Sequence, residues 1–217
     1  MLDELSELSP RIISQIRRVR VGGRPLGLRS WSGRIELFGI PWAIKLLPGL
    51  CLDTLTVRGV PIPEISCETV EDFVKYGCGW RELRYINPNS KLLAFSGNTI
   101  LPCWRKPQPS TWNRLLIQRD GAASGSSVAI YRSMQSNSPG SVLKPEARTP
   151  FEQELLSNRR LEDFGMSEDL MILRGAEIGK EILVVARRGR KVDIVEHDQP
   201  PYRSGDIRVL TGNLRWA

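Results

Sequence analysis

The sequence predicts an α/β protein in which a short, irregular array of helix and strand units is followed by a smaller C-terminal α+β segment. Three observations support this fold class. A strand-like spacing of apolar residues occurs three times in the N-terminal half, each copy follows a helix-like segment, and a continuous apolar run begins at Ile182. Because 41% of the 217 residues are hydrophobic, the chain can bury a sizeable core.

The three strand-like units begin at Ile16, Leu52 and Trp80, and each has apolar residues at relative positions one, four and six. This is the L-x-x-L-x-L spacing of leucine-rich repeats. Positions four and six point to the same side of a short strand, and position one packs from the preceding turn. The uneven spacing of the units favours an irregular, leucine-rich-repeat-like array. The alternative is three amphipathic strands that share a spacing by chance.

A helix is predicted before each unit, over residues 2–14, 35–47 and 67–76. The last of these is the clearest, because its apolar residues share one face, acidic residues occupy its first turns and Gly77 follows as a stop. Alternation of helices and strands implies parallel strands joined by right-handed crossovers.

A helix over 110–118 and a strand over 127–131 complete the predicted N-terminal domain, residues 1–131. Residues 132–149 are rich in Ser, Asn, Pro, Gly and charge, which predicts an exposed loop or linker. The C-terminal α+β segment then comprises residues 150–217.

Within the C-terminal segment, helices are predicted over 151–164 and 168–175. Residues 181–187 contain the apolar run and are predicted to form a strand that is buried on both faces. Residues 192–195 are expected to return beside it as a hairpin partner.

The formal net charge is +7, and the basic residues are partly clustered. One cluster consists of Arg17, Arg18, Arg20, Arg24 and Arg29, and the other of Arg187, Arg188, Arg190 and Lys191. Such clusters can bind phosphate groups or an acidic protein surface, although they also occur as solvated strand ends and turns.

Neither membrane insertion nor export is predicted. The longest apolar stretches are shorter than the roughly 20 residues that span a bilayer, and the acidic N-terminus lacks the features of a secretory signal. The four cysteines, Cys51, Cys67, Cys78 and Cys103, do not have zinc-site spacing. They are interpreted as free thiols in a reducing compartment, the cytoplasm or the nucleus, with a disulfide pair as the alternative.

The chain is not expected to be an enzyme. His197 is its only histidine, and the sequence contains no Gly-x-Ser-x-Gly elbow and no H-E-x-x-H motif. The glycine-rich stretch 121–127 lacks the lysine of a phosphate-binding loop and lies between a predicted helix and a strand, the reverse of the order that phosphate binding uses. We therefore expect no catalytic residue, no cofactor and no bound metal.

Two tryptophans in predicted loops, Trp31 and Trp104, lie beside arginines. Exposed Trp and Arg are typical of protein interfaces and also of nucleic-acid stacking surfaces, whereas core packing is the alternative for each tryptophan. The candidate partner-binding residues are Trp31, Trp104, Arg17, Arg20, Arg187 and Arg188.

Several phrases of the sequence resemble filamentous-fungal proteins with F-box and leucine-rich-repeat-like architecture. The phrases are residues 17–22, 47–57, 74–85, 109–113 and 119–121, within a similarity that covers roughly residues 8–200. The resemblance implies substrate recognition beside a cullin-type ubiquitin ligase, with the repeats as the recognition surface. An F-box is not seen before the first repeat, so adaptor binding is not carried over.

The sequence as a whole favours a non-catalytic protein-interaction domain with a protein partner and no membrane partner. Two alternatives remain: a nucleic-acid-associated protein that uses the basic clusters, and an accessory subunit of an enzyme.

Overall fold

The computed structural model describes residues 8–23, 26–29, 35–47, 49–94, 96–97, 104–105, 108–151 and 175–195. These residues form an α/β fold built on a six-stranded mixed sheet with few helices. The strands are β1 (Arg18–Gly22), β2 (Leu26–Arg29), β3 (Ile35–Phe38), β4 (Leu52–Arg58), β5 (Trp80–Asn87), β6 (Ser96–Gly97), β7 (Trp104–Arg105), β8 (Ser127–Ser136), β9 (Arg148–Pro150) and β10 (Lys180–Arg187). The α-helices are α1 (Pro10–Ile13), α2 (Ile40–Ala43), α3 (Pro63–Tyr76) and α4 (Gln108–Asp120).

The main sheet has the strand order β1-β4-β5-β10-β8-β9. Strands β1, β4 and β5 are parallel, whereas β10, β8 and β9 are each antiparallel to their neighbours. The three repeated units lie side by side in register: Val19 pairs with Leu55, which pairs with Leu83, and the next apolar position follows the same order. The prediction of parallel strands from the one-four-six spacing is therefore confirmed, while the leucine-rich-repeat interpretation stays a prediction.

Helices α3 and α4 supply the apolar side chains that cover one face of the sheet. Phe73 and Val74 of α3 and Trp112 and Leu116 of α4 are fully buried in the same cluster as Leu83. Helix α3 begins with Pro63, which is well suited to the first turn, and it ends before Gly77, as the sequence predicts. Among the described residues no helix is long and apolar enough to cross a membrane.

Strand β10 lies in the middle of the sheet, between β5 and β8. Residues 181–186 are all buried, so the prediction of a strand that is covered on both faces is confirmed. The predicted return strand over 192–195 does not form, and these residues instead bring the buried side chain of Ile194 beside the start of β5.

The predicted helix over 35–47 is instead strand β3, helix α2 and a short 3-10 helix, Ile44–Leu46. Gly39 has extended backbone angles and Pro41 has no backbone N–H, so a helix can begin only at Ile40. The unit between β1 and β4 thus contains a β2-β3 hairpin rather than a long helix.

Residues 132–149, predicted as an exposed loop or linker, contribute to the sheet. They contain the second half of β8 and the start of β9, and Ser133, Ser141 and Val142 are buried. Because β10 pairs with both β5 and β8, the described parts of residues 1–131 and 150–217 share one sheet. The predicted helices 151–164 and 168–175 lie largely outside the described residues.

Candidate interaction surface

One face of the sheet is covered by helices α3 and α4, and the opposite face is here called the second face. The second face is polar and basic along β1, β4 and the first half of β5. Residues that are directly opposite on neighbouring strands point to the same face, so the strand register assigns side chains to faces. Two rows lie on this second face: Arg18, Thr54, Glu82, Arg187, and Arg20, Thr56, Arg84, Val185. A third row contains Gly22, Arg58, Ile86 and Leu183.

These rows bring together five arginines from four strands. We call Arg18, Arg20, Arg58, Arg84 and Arg187 the arginine face. Four of them are exposed residues, and the side chain of Arg84 is still 42% accessible. The arginines lie far apart in the sequence, and only the sheet places them on one surface.

Glu82 is the acidic side chain in these rows, and it orders two of the arginines. Its carboxylate accepts hydrogen bonds from Nε of Arg84 at 2.6 Å and from Nε of Arg187 at 2.7 Å. Burial alone would raise the pKa of Glu82, but the hydrogen bonds from Arg187 and Arg84 outweigh it and lower this pKa below its ordinary value. Five arginines minus one glutamate leave an excess of four positive charges on these rows.

The other half of the second face is closed by the segment that follows β8. Val142 and Leu143 pack against Ile86, Leu183 and Val185 in a small second apolar cluster. Glu181 fixes the segment, because its buried carboxylate accepts a hydrogen bond from the Gly140 backbone N–H at 2.8 Å. The segment therefore borders the arginine face on one side.

Three of the candidate arginines lie at or near this surface. Arg20 and Arg187 belong to the arginine face, and both are exposed. Arg17 is also exposed and donates a hydrogen bond to the Cys51 carbonyl oxygen at 3.1 Å, which joins the starts of β1 and β4. The structure describes Trp104 only as a backbone position in β7, and Trp31 lies outside the described residues.

Arg188 does not face a partner, because it is buried in an ion pair. Its Nη2 donates to Oδ1 of Asp120 at 2.7 Å, and its Nε donates to both carboxylate oxygens. The side chains of Arg188 and Asp120 are 5% and 0% exposed. The neighbouring positions 187 and 188 point to opposite faces of the sheet, so one arginine reaches solvent and the next is in the interior.

Asp120 also connects the end of helix α4 to the turn after β10. Ser126 donates its hydroxyl to Oδ2 of Asp120 at 2.7 Å, and the Gly189 backbone N–H donates to the Ser126 hydroxyl at 2.9 Å. Next to it, Arg119 donates to the carbonyl oxygens of Phe73, Val74 and Gly77 at the end of helix α3. Burial lowers the pKa of Arg119, and the nearby charge of Arg188 acts in the same direction. Arg119, Asp120, Ser126 and Arg188 thus join the ends of helices α3 and α4 to the turn after β10.

The sequence contains a pattern that could have identified the arginine face. If positions four and six of each unit face the core, then positions three and five face the opposite side. These positions are Arg18 and Arg20 in the first unit, Thr54 and Thr56 in the second, and Glu82 and Arg84 in the third. Selection by local charge clustering found Arg20 but missed Arg84, which lies far from either cluster in the sequence.

A cavity of about 710 Å³ lies between helix α4 and strands β8 and β9. Its lining includes Asn113, Gln118, Tyr131 and Phe151, together with Arg114. The described lining residues include no carboxylate, histidine or cysteine, so they supply no acid and base pair for proton transfer.

No protein-family model matches this sequence, and comparisons with curated proteins and with solved structures give no significant match.

Proposed function

We propose that this chain is a non-catalytic protein-interaction module and that the arginine face binds an acidic surface of its partner. The observation that carries the proposal is the convergence of five arginines from four strands on one exposed surface. Guanidinium groups bind carboxylates through a fixed fork of donors, and arginine is enriched at protein interfaces. The surface includes Arg20 and Arg187 of the residues that the sequence singles out, and it does not depend on Trp31 or Trp104.

The arginines that have no acidic partner among the described residues lie on β1 and β4. In the described part of the chain, Arg18, Arg20 and Arg58 make no ion pair, whereas Arg84 and Arg187 share Glu82. Arginine remains charged at all physiological pH values. The attraction of this surface for an acidic partner should therefore be independent of pH between about 6 and 9 and should weaken with salt.

A protein partner fits this surface better than a nucleic acid. Single-stranded nucleic acids stack their bases on exposed aromatic rings. From β1 to β10 the side chains beside the arginines are Thr54, Thr56, Val185 and other residues without a ring. Tyr131 continues the third row on β8, but its ring already packs on the second apolar cluster and under the Arg148 guanidinium group. Glu82 in the centre also repels phosphate. Nucleic-acid association is the second hypothesis, and the same experiment tests it.

The experiment compares partners captured by three tagged proteins from cells that express the chain naturally, with nuclease added. The proteins are the wild type, the double variant Arg18→Ser/Arg20→Ser, and the matched control Arg11→Ser/Lys91→Ser. The control removes two exposed positive charges that lie outside the main sheet, on helix α1 and on the 3-10 helix after β5. Each sample is washed at low and at moderate salt and analysed by mass spectrometry.

We expect the wild type and the control to retain acidic partner proteins that the Arg18→Ser/Arg20→Ser variant loses. Recovery of ubiquitin-ligase subunits among them would support the role that the sequence resemblance implies. Equal capture by all three proteins would contradict the proposed surface. Partners that disappear with nuclease would instead support the nucleic-acid hypothesis.

A further inference from the structure

Among the described residues, the outer edge of strand β1 has no pairing partner. Strand β1 is the first strand in the order of the main sheet and pairs with β4 alone. At the opposite edge, β9 ends in Pro150, which has no backbone N–H. Next to it on β8, the Val128 N–H donates to the Asn113 side-chain oxygen, and the Ile130 carbonyl oxygen accepts from the Phe151 N–H. Of the two edge strands, β1 is the longer, with five residues against three in β9, and among the described residues it has no partner on its outer side.

The register with β4 shows which backbone groups of β1 point outward. Thr54 donates to the Arg17 carbonyl oxygen and Gly23 donates to the Arg58 carbonyl oxygen. In a parallel pair the bonding residues alternate, so residues 17, 19, 21 and 23 bond to β4. The N–H and C=O groups of Arg18, Arg20 and Gly22 therefore point away from the sheet, and no described residue bonds to them.

Charge decides which kind of strand can add to this edge. A second copy of the chain paired along β1 would place arginines opposite arginines, which is unfavourable. A nucleic acid has no alternating N–H and C=O groups to match the edge. An extended peptide has them, and acidic side chains directly opposite Arg18 and Arg20 would lie within about 5.5 Å of them at Cβ.

We propose that β1 binds an extended acidic segment of the partner protein, which adds to the sheet as a seventh strand. This inference rests on the proposed function and specifies its partner. Because Arg18 and Arg20 share one face, the segment carries acidic residues two positions apart. The residue between them lies beside Val19 and Val21, which are half-buried and buried on the other face, so an apolar residue fits there.

Gly22 allows the backbone contribution to be tested without a change of charge. A Cβ atom at Gly22 would have no heavy atom within 4 Å, and the residue does not have a positive φ. Gly22→Pro removes one outward N–H and keeps the ladder to β4, because proline is tolerated where the edge N–H faces solvent. Gly22→Ala adds a side chain and keeps the N–H, so it is the matched control.

The probes are two fluorescent six-residue peptides of identical composition. The first, Thr-Glu-Val-Glu-Val-Thr, places both glutamates on one face of an added strand. The second, Thr-Val-Glu-Glu-Val-Thr, places them on opposite faces. Binding is measured by fluorescence anisotropy at about 50 mM and about 300 mM salt, since screening at the higher concentration weakens ion pairs.

We expect the wild type and Gly22→Ala to bind the first peptide about tenfold more tightly than the second. Gly22→Pro should bind the first peptide about tenfold more weakly, since one peptide carbonyl then has no donor. Circular dichroism of both variants checks that they fold. If Gly22→Pro does not fold, a first peptide with one N-methylated amide replaces it, and the wild type should bind that peptide more weakly.

Equal binding of the first peptide by Gly22→Pro and Gly22→Ala overturns the edge proposal. The proposed function stands in that case if Arg18→Ser/Arg20→Ser still weakens peptide binding, and it fails as well if that variant binds normally. Equal affinity for both peptides also overturns the strand geometry. Tighter binding of a ten-nucleotide uridine RNA than of the first peptide overturns the assignment to a protein segment.

Discussion

The Asp120–Arg188 pair provides the sharpest test of the packing, because it is a buried ion pair whose members come from different parts of the chain. The perturbation is Asp120→Asn, which keeps the shape of the side chain and removes its charge. Arg188 donates to Asp120 through Nε and Nη2, and Ser126 donates to the same carboxylate. An asparagine has one acceptor oxygen, so at least one of these donors loses its bond and Arg188 becomes an unpaired buried charge.

Removal of one partner of a buried pair costs about 3–5 kcal/mol. Since a domain is stable by only about 5–15 kcal/mol, this is a large share of the total. For a chain of this length the loss lowers Tm by about 6–20 °C. The assay is urea unfolding followed by the fluorescence of the buried Trp80 and Trp112, with Arg11→Ser as an exposed control.

The double variant Asp120→Asn/Arg188→Met separates charge from shape. Methionine fills similar space without a charge, so the double variant should be more stable than Asp120→Asn alone. A loss of less than about 1 kcal/mol in Asp120→Asn, which is the range of exposed pairs, would refute the assignment of a buried structural pair.

Three further predictions concern the core and its turns. Burial raises the pKa of Tyr85 to about 12, so between pH 10 and 12 the unfolded chain releases a proton that the folded chain keeps. Stability should fall by about 2 kcal/mol over that range in the wild type relative to Tyr85→Phe, and equal pH profiles of urea unfolding would contradict this. Gly189→Ala would place a Cβ against the backbone carbonyl of Ser124 and should cost about 1–3 kcal/mol, whereas Gly22→Ala in the same urea assay should change stability by less than about 0.5 kcal/mol. Arg119→Gln removes charged donors from the end of α3 and should cost about 1–3 kcal/mol; unchanged hydrogen exchange at residues 73–77 would argue against it.

The local pattern of apolar residues was sufficient to predict that β1, β4 and β5 are parallel strands, whereas their register is known from the structure. Val19, Leu55 and Leu83 occupy the same place in the one-four-six spacing, and the sheet places them in one row. The continuous run at 182–186 likewise predicted a strand that is buried on both faces. A strand that is buried on one face alternates apolar and polar residues, whereas a strand that is buried on both faces is apolar throughout. Both kinds of strand can therefore be recognised in the sequence.

Segments with mixed preferences were decided by their neighbours. The stretch 35–47 is apolar enough for a helix, yet Gly39 and Pro41 restrict the helix start and the first part pairs as a hairpin. Residues 132–149 are polar in composition, but Val142 closes the second face of the sheet and Ser133 is buried beside Ser141, within 2.6 Å between hydroxyl oxygens. The composition of a segment does not show that it packs on an apolar part of a sheet formed by other segments.

The sequence by itself determined that this chain is an α/β protein with parallel strands, a buried central strand and an excess of positive charge. Only the tertiary structure decided which charges form a surface. Arg187 and Arg188 are neighbours in the chain, yet strand alternation turns one toward solvent beside Glu82 and the other into the interior on Asp120. Arg18 and Arg187 are distant in the chain and share a row of the sheet. Pairing between strands brings remote residues together, and that pairing depends on the whole fold rather than on any local pattern.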